Sequence, residues 1–78
     1  SVWKENRLVF DDTPLAEIIL QLKYIYGWEF TDVEQDILKE KLSGEIETKD
    51  EHKMINTLEK ALHLKIHKKG NVIRISRI

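Results

Sequence analysis

Three histidines are the residues of this chain that could bind a metal ion. His63 and His67 are four residues apart, but His63 lies at the predicted end of a helix and His67 in a predicted strand, so they share no helical face. His52 lies on the polar side of a predicted helix, and the chain has no cysteine. Zinc sites in small domains usually combine cysteine and histidine at short, regular spacings. We therefore predict surface histidines and no metal-binding residue.

Acidic residues cluster at three places. Residues 32–36 read D-V-E-Q-D and resemble the start of a calcium-binding loop, which requires glycine at its sixth position and glutamate at its twelfth. Ile37 and Ser43 stand at those two positions instead. The pairs Asp11-Asp12 and Asp50-Glu51 lie close to predicted helix starts, where negative charge interacts favourably with the helix dipole. We predict a capping role for both pairs rather than acid–base catalysis.

No pattern typical of a nucleophile or a phosphate-binding loop occurs in the sequence. The serines lack the G-x-S-x-G turn that exposes a nucleophile, and the three glycines are far apart. The sequence thus predicts no catalytic residue, no cofactor and no enzymatic activity. Lys65, Lys68 and Lys69 form a small basic cluster, but no aromatic residue is interleaved with them as in RNA-binding strands. A small RNA-binding domain stays open as an alternative.

The first half of the chain predicts a strand, a helix and a second strand. Leu8 and Phe10 lie on one side of the first strand, which residues 11–14 are expected to break. Thr13 is the predicted N-cap, and Pro14 the first helical residue. Apolar residues recur at helical spacing up to Gly27, which can adopt the left-handed conformation that ends a helix. Trp28 and Phe30 then alternate with polar residues in a short strand.

The second half repeats this pattern 36 residues later and adds a final strand. A loop over residues 32–41, with one helical turn at most, leads to a strand around Ile46 and a helix that begins near Thr48 or Asp50. Strands at residues 64–66 and 73–75 follow, joined by a turn at 69–71. Any two strand-helix-strand units could match in this way, which is the alternative to a true repeat. We predict a single α+β domain over residues 1–78, with two β-α-β repeats, a final strand, and two helices packed between small sheets.

The first helix carries apolar residues on two sides. Ala16, Leu20 and Tyr24 form a row roughly opposite the main apolar face, whereas the equivalent residues of the second helix, at positions 52, 56 and 60, are polar. We predict that this row is buried between layers; exposure of Leu20 and Tyr24 would instead make it an interface. The predicted core comprises Leu8, Phe10, Leu15, Ile18, Leu22, Tyr26, Phe30, Ile46, Ile55, Leu58, Leu62, Leu64, Ile66, Ile73 and Ile75.

Composition and charge argue against several classes of protein. The chain has 78 residues, with 13 Lys+Arg, 14 Asp+Glu and a net charge of −1. Its longest apolar run, residues 18–20, is far shorter than the ~20 residues of a membrane-spanning helix. The lack of cysteine excludes a disulfide scaffold, and the balanced charge argues against nucleic acid as the partner.

A set of short motifs covers nearly the whole chain. Residues 3–27 read W-K-x-x-x-L-V-F-D-D-T-P-L-A-E-I-I-L-Q-L-K-Y-I-Y-G, and the second half contains L-S-G-E-I, L-H-L-K-I and G-N-V-I-R-I. The set resembles the C-terminal domain of FecR-type anti-sigma factors, and its second half resembles the short N-terminal domain of secretins and TonB-dependent transporters (the STN domain). Met54 departs from the leucine that such domains often have at that position. The resemblance implies an STN-like signalling module without enzymatic activity or cofactor.

The resemblance also implies a partner and a location. In that family the parent protein crosses the inner membrane, and its C-terminal part meets the N-terminal signalling domain of a TonB-dependent transporter in the periplasm. This chain would then be a periplasmic domain excised from a larger membrane protein, and a sigma factor would be reached only through the missing cytoplasmic part. The transported substrate, a siderophore or a glycan, is left open. The signalling domain of the transporter itself is an alternative.

The last strand is the first candidate for the docking surface. Its inward residues are Ile73 and Ile75, and a terminal strand after a tight turn is expected at a sheet edge, open to addition of a partner strand. The alternative is that Arg74 and Arg77 merely protect this edge from aggregation. If the strand lies at an edge with the N–H of residue 74 outward, Arg74→Pro should leave the fold intact, and its effect on partner binding would distinguish the two. The predicted partner-binding residues are Val72, Arg74 and Ser76 on this strand, with Leu20 and Tyr24 on the first helix.

Overall fold

A computed structural model describes residues 2–4 and 6–78, with side chains described from residue 6 onward. The described residues form three helices and six strands. The strands are β1 (Val2–Lys4), β2 (Arg7–Pro14), β3 (Glu29–Thr31), β4 (Lys41–Glu47), β5 (Leu64–Lys69) and β6 (Val72–Arg77). The helices are α1 (Leu15–Tyr26), α2 (Gln35–Leu38) and α3 (Glu51–Leu62). The single turn of α2 lies in the predicted loop over residues 32–41.

The described strands form two three-stranded sheets. One is antiparallel in the order β1-β2-β4, and the other has the order β3-β6-β5, with β3 parallel and β5 antiparallel to β6. Helix α1 contacts β2 and β3, and α3 contacts β4 and β5, so each long helix packs against both sheets. The predicted α+β class, with helices between small sheets, is confirmed.

The predicted edge position of the last strand is wrong. β6 is the central strand of its sheet, because it pairs with β5 through a tight hairpin and with β3 along its other side. Arg74 lies opposite His67 of β5 and Thr31 of β3. The backbone beside Val72, Arg74 and Ser76 is therefore engaged in the sheet, and β3 and β5 are the edges.

The two halves match element by element. α1 begins at Leu15 and α3 at Glu51, and both are 12 residues long, so they lie 36 residues apart as predicted. Both end at a residue with left-handed backbone, Gly27 with φ 71° and His63 with φ 54°, whose N–H donates to the carbonyl four residues earlier. The agreement thus extends to the C-caps and the lengths of the helices, which an accidental match of apolar spacing does not require.

The start of α1 differs from the prediction. β2 continues to Pro14, which takes the N-cap position with extended backbone, and Leu15 is the first helical residue. The Thr13 hydroxyl is not the cap, because it accepts a hydrogen bond from the Asp11 N–H at 3.1 Å. The N–H of Leu15 instead donates to the carbonyl of Glu40 at 2.7 Å. A distant backbone group thus replaces the predicted local cap.

The two acidic pairs have different roles. Asp50 caps α3 as predicted, since its carboxylate accepts hydrogen bonds from the N–H groups of His52 and Lys53. Asp11 and Asp12 do not cap α1; they lie where the register of β2 against β4 shifts, and Asp12 has φ 53°. The Asp12 N–H donates to Ser43 Oγ at 2.8 Å, which holds this irregularity in place.

The core lies between the helices and the inner faces of the sheets. Eleven of the fifteen residues predicted for it are buried, and Tyr26, Phe30, Ile55 and Ile66 are partly buried and pack against it. Three fully buried side chains were not in the predicted set: Trp28, Ile37 and Met54. Ile37 is buried because the single turn of α2 carries it onto α1. An isolated apolar residue in a polar loop gives little indication of this.

Candidate protein-interaction site

The second apolar row of α1 is exposed. Leu20 is 67 % and Tyr24 91 % accessible, and Ala16 is exposed as well. The prediction that this row is buried between layers is therefore wrong. The opposite side of the helix already fills the space between the sheets with Leu15, Ile18 and Leu22. We call Ala16, Leu20 and Tyr24 the α1 row.

Helix α3 provides an internal comparison for the α1 row. The equivalent residues His52, Asn56 and Lys60 are all exposed, as Leu20 and Tyr24 are. The same backbone position thus faces solvent in both repeats, with polar residues in one and apolar residues in the other. Scattered apolar residues on a surface are ordinary, but two large ones on adjacent turns form a contiguous patch. The α1 row is consequently a candidate contact surface.

An aromatic cluster fixes the C-terminal end of α1 relative to the second repeat. The Tyr26 and Trp28 rings stack with centroids 4.5 Å apart, and Phe30 meets Trp28 edge-on at 6.1 Å. The Tyr26 hydroxyl donates to the carbonyl of Thr48 at 2.7 Å, and Trp28 Nε1 donates to Glu51 Oε1 at 2.8 Å. Both hydrogen bonds join the first repeat to the start of α3, so the α1 row is presented on a rigid helix.

The same cluster suppresses ionisation of Tyr26. Burial of the phenol raises its pKa to about 12, and the negative charges of Glu51 and Asp50 add to the effect. The neutral hydroxyl is the form that can donate to Thr48. Tyr26 is therefore a protonated structural donor at physiological pH.

The outer face of the second sheet carries the other predicted residues. Val72, Arg74 and Ser76 point away from the core, and their neighbours on β5 are Lys69, His67 and Lys65 respectively. This face forms a shallow depression of about 640 Å³ that Arg74, His67 and Lys69 help to line. Among the described residues, neither Arg74 nor Lys65, Lys68 or Lys69 forms an ion pair. Four unpaired cations thus lie on β5 and β6, and Asp32 also lines the depression.

Arg77 differs from these cations because it is engaged within the domain. Its guanidinium binds Asp36 Oδ2 at 3.0 Å and Glu40 Oε2 at 3.4 Å. The hydrogen bond from Arg77 lowers the pKa of Asp36. The end of β6 is thereby tied to α2 and to the residue before β4, and Arg77 is not part of the open basic surface.

No constellation for catalysis or metal binding emerges from the part of the chain that the structure describes. Residues 2–4 and 6–78 contain no group of three metal-binding side chains. None of the helices described there is long and apolar enough to cross a membrane. What the described surface offers is contact area: the α1 row, the basic outer face of β5 and β6, and the edge of β5.

The sequence as a whole matches one known family. A profile of the family described as FecR, C-terminal, matches residues 7–75. The chain belongs to the FecR C-terminal family. This FecR domain finds no match among curated proteins. Family membership supports a regulatory role in signalling rather than an enzymatic one.

Solved structures share the fold of this FecR domain. Two crystal structures of a candidate anti-sigma factor from Parabacteroides distasonis, at 1.65 and 2.50 Å resolution, each superimpose with a TM-score of 0.75. The identity is 20 %, and the match covers 92 % of this chain and 34 % of that protein. The chain thus spans about a third of the protein it matches, and at this identity the likeness establishes the fold alone.

Sequence reasoning did not identify β5 as an exposed edge. A signal was present, because lysine is one of the residues by which natural proteins protect edge strands from uncontrolled pairing. β5 contains Lys65, Lys68 and Lys69, whereas the single basic residue inside β6 before its end is Arg74. Interpreted in this way, the lysine cluster distinguishes the edge strand of this FecR domain from its central strand.

Proposed function

We propose that this domain is a periplasmic protein-interaction module of a transmembrane anti-sigma regulator. Its partner is the N-terminal signalling domain of a TonB-dependent outer-membrane transporter. The observation that carries the proposal is the family match over residues 7–75. It is supported by the exposed α1 row, which places two large apolar side chains on the surface of a domain with no described catalytic or metal cluster.

The geometry suggests how the domain acts in such a complex. Leu20 and Tyr24 project from a helix whose opposite face is locked in the core, so a partner can bury them without reorganising the domain. Aromatic residues at the centre of an interface commonly supply much of the binding energy. In the proposed function the domain receives the signal of transporter occupancy, and the part of the parent protein outside these 78 residues passes it to the sigma factor.

Direct binding measurements test the proposal. The 78-residue chain is titrated calorimetrically with the purified signalling domain of the transporter encoded beside it, with the signalling domain of an unrelated transporter as the control. We expect saturable binding to the first and none to the second, and that the double variant Leu20→Ser, Tyr24→Ser weakens binding at least tenfold, about 1.4 kcal/mol. Absence of binding to the neighbouring transporter's domain would overturn the proposed function.

The same preparation tests RNA as the ligand. Lys65, Lys68, Lys69 and Arg74 are free of ion pairs within the described residues, which is the observation that favours an anionic ligand. A single-stranded RNA bound by these four cations would lose affinity steeply with salt, with a log–log slope of about −3. Such a slope with RNA, together with no binding to the signalling domain, would replace the proposed function with nucleic-acid binding.

A further inference from the structure

β5 is an edge strand, and a groove lies beside its first residues. It pairs with β6 on one side, and among the described residues no strand lies on its other side. The groove, of about 590 Å³, lies between the end of α3 and the start of β5 and is lined by Glu59, Lys60, His63, Leu64, Lys65 and Ile78. Ile78, 88 % accessible, is the most exposed of its apolar side chains.

The hydrogen bond of Ile66 shows which backbone groups point outward. Its N–H donates to Glu59 Oε2 at 2.8 Å, and therefore not to β6. In an antiparallel pair the residues alternate between those bonded to the neighbouring strand and those directed away from it. The register of β5 on β6 is regular from Leu64 to Lys69, so the N–H of Lys68 has the same outward direction as that of Ile66.

Glu59 covers this edge with a side chain rather than with backbone. Its carboxylate comes from α3 and occupies the place that the carbonyl of an added strand would take at Ile66. A side chain can rotate away, whereas a paired strand cannot do so without unfolding part of the sheet. The edge is thus protected in the free domain and remains able to open.

The surroundings of β5 define what an added strand must carry. Lys65, His67 and Lys69 point to the outer face, where no described acidic group pairs with the lysines. On the other side of the strand lie the groove and its apolar residues Leu64 and Ile78. Side chains of an added strand alternate between these two sides. The complementary segment therefore alternates acidic residues with apolar ones.

We infer that β5 is a strand-addition site for an extended segment of the partner protein with alternating acidic and apolar side chains. Glu59 must release the N–H of Ile66 before this segment can pair with β5. The inference rests on the proposed function, since the segment is assigned to the transporter's signalling domain. Backbone hydrogen bonds would supply affinity, and the lysines would select acidic sequences. The contact is separate from the α1 row.

A matched pair of substitutions at one exposed position tests the site. Lys68→Pro removes the outward N–H together with the charge, and Lys68→Ala removes the charge alone. We expect Lys68→Pro to bind the signalling domain at least tenfold more weakly than Lys68→Ala, because a hydrogen bond is lost and the ring obstructs pairing. Circular dichroism and thermal unfolding confirm that both variants are folded. Equal affinities of the two folded variants would overturn the inference.

Glu59 supplies an independent measurement. Glu59→Ala removes both the competing acceptor and a negative charge, so the signalling domain should bind several-fold more tightly. In amide spectra of the ¹⁵N-labelled chain, the signals of Ile66 and Lys68 should shift on binding and become protected from hydrogen exchange. Binding that leaves these amides unchanged overturns strand addition while the proposed function stands. No binding by the unsubstituted chain overturns the proposed function itself.

Discussion

Proline at position 74 should destabilise this domain far more than proline at position 68. Arg74 lies directly opposite His67, in the pair type that exchanges two backbone hydrogen bonds, because the neighbouring pair Ile66–Ile75 is of the other type. Arg74→Pro deletes the donor of one of these bonds in the central strand. The N–H of Lys68 points away from β6, so Lys68→Pro deletes no bond of the sheet.

The expected cost of Arg74→Pro is several kcal/mol. Loss of this hydrogen bond, which leaves the carbonyl of His67 unpaired, costs about 1–3 kcal/mol. Steric conflict of the ring with the neighbouring strand adds to this, so we expect about 3–5 kcal/mol in total. A domain of this size is stable by roughly 4–12 kcal/mol, so the variant should lose a large part of that stability. For Lys68→Pro we expect a loss of stability of about 1 kcal/mol, which comes from the altered backbone alone.

Urea unfolding followed by tryptophan fluorescence measures both values, since Trp28 is buried in the core. Arg74→Ala and Lys68→Ala are the controls, because they shorten the same side chains but keep both N–H groups. The quantity to compare is the difference in free energy of unfolding between the proline and the alanine variant at each position. A difference at Lys68 equal to or larger than that at Arg74 would refute the assignment of β6 as the central strand and β5 as the edge.

Further predictions concern the helix ends, the α1 row and pH. His63→Gly should stabilise the domain by about 1 kcal/mol in urea unfolding, and Gly27→Ala should destabilise it by about 1–2 kcal/mol. Both positions have left-handed backbone, which glycine tolerates best. Changes of the opposite sign would contradict the assignment of these C-caps. Leu20→Ser and Tyr24→Ser should each change stability by less than about 0.5 kcal/mol, and a larger loss in thermal unfolding would show that the row is buried. Stability should fall as pH rises from 10 towards 12, because the unfolded chain ionises Tyr26 near pH 10 and the folded chain only near pH 12; Tyr26→Phe should remove this decline.

The parts of the fold that the sequence predicts are those decided by neighbouring residues. Gly27 ends α1 because it lacks a Cβ and tolerates positive φ, and Asp50 begins α3 because its carboxylate reaches the N–H groups two and three residues on. Apolar spacing placed both long helices within a residue or two of their bounds. The two caps depend on fewer than five consecutive residues, and the helices on the spacing within a single segment.

Features decided by distant residues were mispredicted. The start of α1 is set by the carbonyl of Glu40, so the hydroxyl of Thr13 was free to bind Asp11 instead. The central place of β6 depends on β3, which lies some forty residues earlier and pairs in parallel with it. Neither partner can be identified from the spacing of apolar residues in the segment itself. Strand order is a property of the assembled sheet.

The α1 row shows a further limit of pattern analysis. An apolar row opposite the main face is produced equally by burial between two layers and by exposure for a partner. The periodicity of Leu20 and Tyr24 is identical in both cases, and only the assembled structure shows that none of the described elements covers them. The prediction failed at the residues that are the leading candidates for function, where selection for binding and selection for folding leave the same pattern.

A comparison of the two repeats distinguishes selection for folding from selection for binding. Buried positions agree between them, with Ile18 matching Met54 and Leu22 matching Leu58, because both repeats fill one core. Exposed positions disagree, with Leu20 and Tyr24 against Asn56 and Lys60, although the backbone is the same. Folding requires apolar residues at the buried positions and does not constrain the exposed ones. The exposed apolar residues of the first repeat, where the second repeat has polar ones, therefore support the proposal that the α1 row contacts a partner.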